Sequence, residues 1–104
     1  MSYLVVTIKQ VKDETAFQQY AQRVKPMIEQ YGGKYLAIDK SPEVHSGQWP
    51  YVRTVIVSFP SFAAMRNWYD SPEYQAIVPL RQRAIDANIA LVHDLADVPV
   101  PGYP

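Results

Sequence analysis

Residues 58–81 read "SFPSFAAMRNWYDSPEYQAIVPLR", with five aromatic rings and three prolines. Phe59 closes an apolar run, and Pro60-Ser61 stops it. Ser61 is placed to cap a helix that carries Phe62, Met65, Trp68 and Tyr69 on one side. Asp70-Ser71-Pro72 breaks that helix. Ser71 as N-cap and Pro72 at the first helical position then restart the chain as a helix. The aromatic density has two readings: a joint that pins a broken helix to a sheet, or the wall of a ligand pocket. Periodicity favours the joint, because Trp68 shares a stripe with Phe62 and Met65, and Tyr74 can fold back under the break. The readings can coexist. A broken helix leaves a gap beside the sheet, and a gap lined by rings and a few polar groups is a typical ligand pocket. Tyr20, Trp68 and Tyr74 would be its walls.

Outward from this stretch the chain alternates between two periods. Residues 3–9, "YLVVTIK", are β-branched and apolar, which predicts a strand. Asp13 is placed as an N-cap with Glu14 in the first turn. Phe17, Tyr20, Ala21, Val24, Met27, Ile28 and Tyr31 then recur at helical spacing. Pro26 lies inside the stripe without changing its phase, so one kinked helix is expected. Gly32-Gly33 ends it where a left-handed residue is wanted. Residues 34–39 form a second strand, 40–51 a polar loop, and 52–59, "VRTVIVSF", a third strand. After the joint, Pro79 is expected to interrupt the helix again, with a last segment reaching about Ala87. Asn88 is the stop and 89–93 the fourth strand. The remainder, "DLADVPVPGYP", reads as a proline-rich extended tail.

The order strand, helix, strand, strand, helix, strand predicts an α+β fold, the ferredoxin-like βαββαβ pattern. Its four-stranded antiparallel sheet has spatial order 4-1-3-2, with the helices on one face and the second helix broken at Ser71-Pro72. Residues 1–94 would be one domain and 95–104 a tail packing on the dimer. A dimer is expected because the strands do not alternate cleanly. Leu4, Val6 and Ile8 oppose Tyr3, Val5 and Thr7, and Val55, Val57 and Phe59 oppose Val52, Thr54 and Ile56. Helices cover one apolar face only. A homodimer through the open sheet face would cover the other; the alternative is a tail folded over it.

Composition removes several functions. The 104 residues suit one domain. Ten basic and ten acidic side chains leave a net charge of zero, with no basic stripe for a phosphate backbone, so no nucleic-acid partner is expected. The absence of cysteine excludes disulfides, cysteine metal sites and thiol catalysis. No apolar run approaches the length of a membrane span, and "MSYLVVTIKQ" reads as a strand and not a signal peptide. A cytoplasmic protein is expected. With four glycines and no GxSxG context, neither a phosphate cradle nor a serine nucleophile is indicated. No cofactor and no metal are expected; His45 and His93 have no metal-ligand spacing and fall at opposite ends of the sheet.

The candidate site centres on Arg53, which begins an apolar central strand and needs a partner. It would bind a substrate carboxylate or enolate, or form a structural pair with Asp39 or a dimer partner. His45, in the loop before strand three, is either a general base or a solvated loop histidine. The two are the catalytic candidates. Tyr20, Asp39, Trp49, Trp68, Tyr74 and Arg81 are the substrate-binding candidates.

The segments "YAQRVKPMIEQYGGKYL", "GQWPYVRTVIVSFPSFAAMRNWYDSPEYQ" and "PLRQRA" resemble a bacterial domain-of-unknown-function family, the one numbered 1330, over about residues 3–94. Tyr20, Pro26, Gly32-Gly33, Gly47, Arg53, Phe59-Pro60-Ser61, Trp68-Tyr69, Ser71-Pro72, Tyr74 and Arg81 carry the resemblance. Ser46 departs from it, standing where that family usually has an acidic residue before the loop glycine. The resemblance implies the dimeric α/β-barrel superfamily. That superfamily includes cofactor-free monooxygenases, isomerases of small molecules, haem-associated members and ligand-binding regulators. The expected function is binding, with cofactor-free isomerase-like or monooxygenase-like transformation, of a small apolar or aromatic molecule with one anionic or enolisable group. The alternative is a non-catalytic dimeric sensing or structural module.

Overall fold

The computed structural model describes residues 1–97. The elements run β1 (Ser2–Val11), α1 (Glu14–Gln30), β2 (Lys34–Asp39), β3 (Arg53–Phe59), α2 (Phe62–Asp70), α3 (Pro72–Ala84) and β4 (Ile85–Val92). The strands form one antiparallel sheet in the order β2-β3-β1-β4. This is the ferredoxin-like α+β arrangement expected from the sequence. Most of the extended tail expected there falls on 98–104, outside the described residues.

Alternation along the strands sorts the two faces. Leu4, Ile8, Val57 and Phe59 point to the helices and are buried with Phe17, Val24, Ile28, Trp68 and Tyr74 in one core. The opposite face is built of rows. Ala37, Ile56, Val5 and Ala90 lie in register across all four strands. A polar row, Asp39, Thr54, Thr7 and Asn88, runs beside it.

α1 begins at Asp13, whose carboxylate accepts from the Ala16 N–H at 3.0 Å. The helix continues through Pro26, which is exposed, so the carbonyl it leaves free faces water. Its end is a Schellman turn. Gly33 N–H donates to the Ile28 carbonyl at 2.9 Å, Gly32 N–H to that of Glu29 at 3.0 Å, and Gly32 holds φ at 83°. A side chain on Gly33 would collide with the side chain of Ile28 and approach the Phe59 ring to 3.1 Å, so the turn also closes the core.

Two expectations fail at the far end of α3. Pro79 does not interrupt the helix, because it lies on the exposed side and the stripe Tyr74, Ile77, Leu80, Ala84 stays buried across it. The helix also ends at Ala84, not near Ala87, and β4 starts at once with Ile85. Strand pairing overrides helical propensity here. Val11 and Gln10 pair with Ile85 and Asp86, and Lys12 N–H donates to the Ala84 carbonyl at 2.7 Å. Ile85, Ala87, Ile89 and Leu91 then turn to the core side in strict alternation. β1 is correspondingly longer than expected.

Candidate functional site

The helix break places the aromatic cluster. Ser71 serves both helices. Its hydroxyl donates to the Trp68 carbonyl at 2.7 Å and accepts from the Tyr74 N–H at 3.2 Å. One buried side chain thus adds a second hydrogen bond to the Trp68 carbonyl, which also accepts the Ser71 N–H at 3.1 Å, and satisfies an orphan donor of α3. The hinge drives Trp68 and Tyr74 inward, to 1% and 0% exposure. Trp68 lies 4.3 Å from the Tyr74 ring and stacks on Phe59 at 5.6 Å, centroid to centroid.

Tyr74 then organises a polar chain. Arg81 Nη1 donates to the Tyr74 hydroxyl at 2.8 Å, and that hydroxyl lies 2.8 Å from the hydroxyl of Tyr20 on α1. The contact joins α1 to α3 in the interior. Burial, reinforced by Tyr74, pushes the Tyr20 hydroxyl far above the ordinary phenol range. Arg81 is held above its usual value: burial opposes its charge, and the Tyr74 oxygen outweighs that.

α1 packs along α3, and its backbone stands clear of the sheet. The space between is a cavity of about 400 Å³. Its walls are largely aliphatic, from Leu4, Val6, Val55 and Val57 on the sheet and Val24 and Ile28 on α1. Exposed Gln18, Ala21, Lys25 and Ile38 mark an opening between α1 and the β2 edge. Arg53 reaches in from the start of β3, its Cζ 5.0 Å from the centre of the Phe17 ring, a cation–π distance. Among the described residues its buried Nε has no acceptor, and neither has the buried Nε1 of Trp68. Each such orphan costs about 1–3 kcal/mol. Among the described residues no Asp, Glu, His or Cys lines the cavity. Among the described residues no group of acidic or imidazole side chains could hold a metal.

The structure therefore brings together Arg53, Tyr20, Trp68 and Tyr74, with Arg81 one hydrogen bond behind. It leaves three candidates elsewhere. Asp39 pairs with Thr54, so strand alternation puts it on the opposite face from Arg53, where it accepts from the Ser41 N–H at 2.8 Å. The Arg53–Asp39 pair does not form, and Arg53 makes no salt bridge among the described residues. Trp49 is bound to that same open face, its Nε1 donating to Thr54 Oγ1 at 3.2 Å. His45 is an exposed loop residue 3.3 Å from Glu43. His93 stacks on Phe62 with ring centres 3.8 Å apart. Sequence reasoning missed most of the lining, Tyr35 and Phe17 among it. Tyr35 is half-buried, its hydroxyl pushed up to about 12 by burial and the nearby Glu29 charge. Phe17 was read as stripe, and only the helix's position over β3 puts it under Arg53.

Solved structures share this fold. A protein of unknown function from Rhodopseudomonas palustris superposes with a TM-score of 0.74 at 20% identity, over 90% of this chain and 82% of that one. An uncharacterised NIPSNAP domain protein from Burkholderia xenovorans gives 0.58 at 14% identity, over 100% and 99%. A protein described as an antibiotic biosynthesis monooxygenase gives 0.55 at 17%, over 90% and 98%. At these identities the likeness is one of fold. No curated protein matches the chain. The family model for a domain of unknown function, DUF1330, matches residues 1–95, so the chain belongs to that family.

Proposed function

We propose that the protein is a cytoplasmic homodimer that binds a small apolar or aromatic molecule with one anionic or enolisable group in the cavity under α1. The observation that carries this reading is the pair of buried, unpartnered donors, Arg53 Nε and Trp68 Nε1, on the walls of an otherwise apolar space. A ligand oxygen on Arg53 would restore a lost hydrogen bond and balance a cation that has no carboxylate partner among the described residues. The same donor would stabilise an enolate, which is where isomerase-like or monooxygenase-like turnover without a cofactor would begin. The fold likeness to a monooxygenase is compatible with that step. The lack of any carboxylate or imidazole in the lining favours a second reading, a ligand sensor without catalysis. Tyr20 and Tyr35 are held protonated at neutral pH and cannot act as bases there. His45 has no part in either reading.

The test is calorimetric titration of the protein and its Arg53→Met variant with 1-naphthoate and octanoate, with the molecular mass followed by light scattering. At least one anion should bind the parent protein and weaken tenfold or more in the variant, while the dimer persists. Equal binding to both proteins, or none to the parent, overturns the anion site. Loss of the dimer in the variant would assign Arg53 to assembly instead.

A further inference from the structure

The cavity lining extends along α1 and β3, with Arg53 at one end of it. On α1 the lining runs from Phe17 to Ile28, about 16 Å of helix. On β3 it runs from Arg53 to Val57, about 13 Å of strand. The two elements run side by side in the same direction. Phe17 lies under the Arg53 guanidinium at one end, and Ile28 meets Phe59 across Gly33 at the other. Among the described lining residues, Arg53 is the cation with a buried donor that has no acceptor. Beyond it the lining is mainly aliphatic, from Val55, Val24, Val57, Leu4 and Ile28, with the Tyr20, Tyr35 and Tyr74 rings among them and Trp68 at the Phe59 end.

A single ring bearing a carboxylate would fill only about half of that length and leave the far walls without contacts. An extended chain advances about 1.2 Å per bond, so about ten carbons reach from Arg53 to the Trp68 end. We propose that the ligand is an unbranched medium-chain carboxylate, entering between α1 and the β2 edge, its carboxylate on Arg53 Nε and its chain along Val55, Val24 and Val57. This rests on the reading of the cavity as an anion site and specifies the molecule that fills it.

The test uses a Trp49→Phe background, in which Trp68, at the Phe59 end, is the sole tryptophan reporter. Hexanoate, octanoate, decanoate, dodecanoate and tetradecanoate are titrated below their micellar concentrations. Decanol serves as the uncharged comparison and 1-naphthoate as the short rigid one. Affinity should rise roughly three- to fourfold per methylene and level off near ten carbons, with the Trp68 emission shifting as the chain arrives. Decanol, and decanoate on Arg53→Met, should each bind at least tenfold more weakly than decanoate on the parent. Arg53-dependent binding of 1-naphthoate with no dependence on chain length overturns the acyl ligand and leaves the anion site standing. Affinity that still climbs from decanoate to tetradecanoate overturns the ten-carbon fit; if that climb is also indifferent to Arg53, or if no probe binds, the anion site is overturned as well.

Discussion

Tyr20 shows how one hydroxyl serves both the fold and the site. Its ring lies in the core, and its oxygen meets Tyr74 at the cavity wall. Because burial raises its pKa, the folded chain holds the proton after the unfolded chain has released it near pH 10. Unfolding then releases protons, so stability must fall as pH rises. The contribution is complete below pH 10.0, the ordinary value, and is lost above it. Through Tyr20 the loss is about 1.4 kcal/mol per pH unit. Tyr35 adds a weaker effect that ends near pH 12. Urea denaturation between neutral pH and 11.5 should show this decline, and Tyr20→Phe should flatten it. A decline of unchanged slope in that variant would mean that another group carries the alkaline loss.

At the scale of the element, the decisive feature is the joint at Ser71. Two prolines lie inside helices, Pro26 and Pro79, and neither breaks its helix. The break comes where a serine can replace the missing backbone hydrogen bonds. Ser71→Ala removes a buried acceptor from the Tyr74 N–H and a donor from the Trp68 carbonyl. It should destabilise the protein by about 1–3 kcal/mol in chemical denaturation, with Ser71→Thr recovering part of the loss. Since the joint aims Trp68 and Tyr74 at the cavity, tryptophan emission in the folded variant should also shift. A stability within experimental error of the parent would show that water replaces the hydroxyl at no cost.

Over the whole molecule the two faces of the sheet do different work. The helix face holds the core and the cavity. The open face presents the row Ala37, Ile56, Val5 and Ala90, with exposed Val92 beside it. The apolar row spans the sheet from edge to edge. The proposed dimer buries this row against its twin. Ile56→Lys, at its centre, should give a monomer by sedimentation velocity and leave the circular dichroism spectrum unchanged. A parent protein that sediments as a monomer at micromolar concentration refutes the dimer. Among the described residues no helix is long and apolar enough to cross a membrane.

The sequence by itself determined the element order and the sheet order, because period-two and period-3.6 patterns and the caps Asp13, Ser61 and Ser71 are local signals. It also marked Arg53, since a guanidinium in an apolar strand is an anomaly that one strand can show. The tertiary structure decided the rest. The start of β4 at Ile85 depends on a partner strand more than seventy residues away in sequence, and no local propensity carries that information. The site followed from the same cause. Strand alternation separated Asp39 and the Trp49 anchor from Arg53, and the Tyr20–Tyr74 contact fixed α1 along α3 and away from the sheet. The cavity is the distance that contact leaves, a property of the packed assembly of elements and of none of them alone.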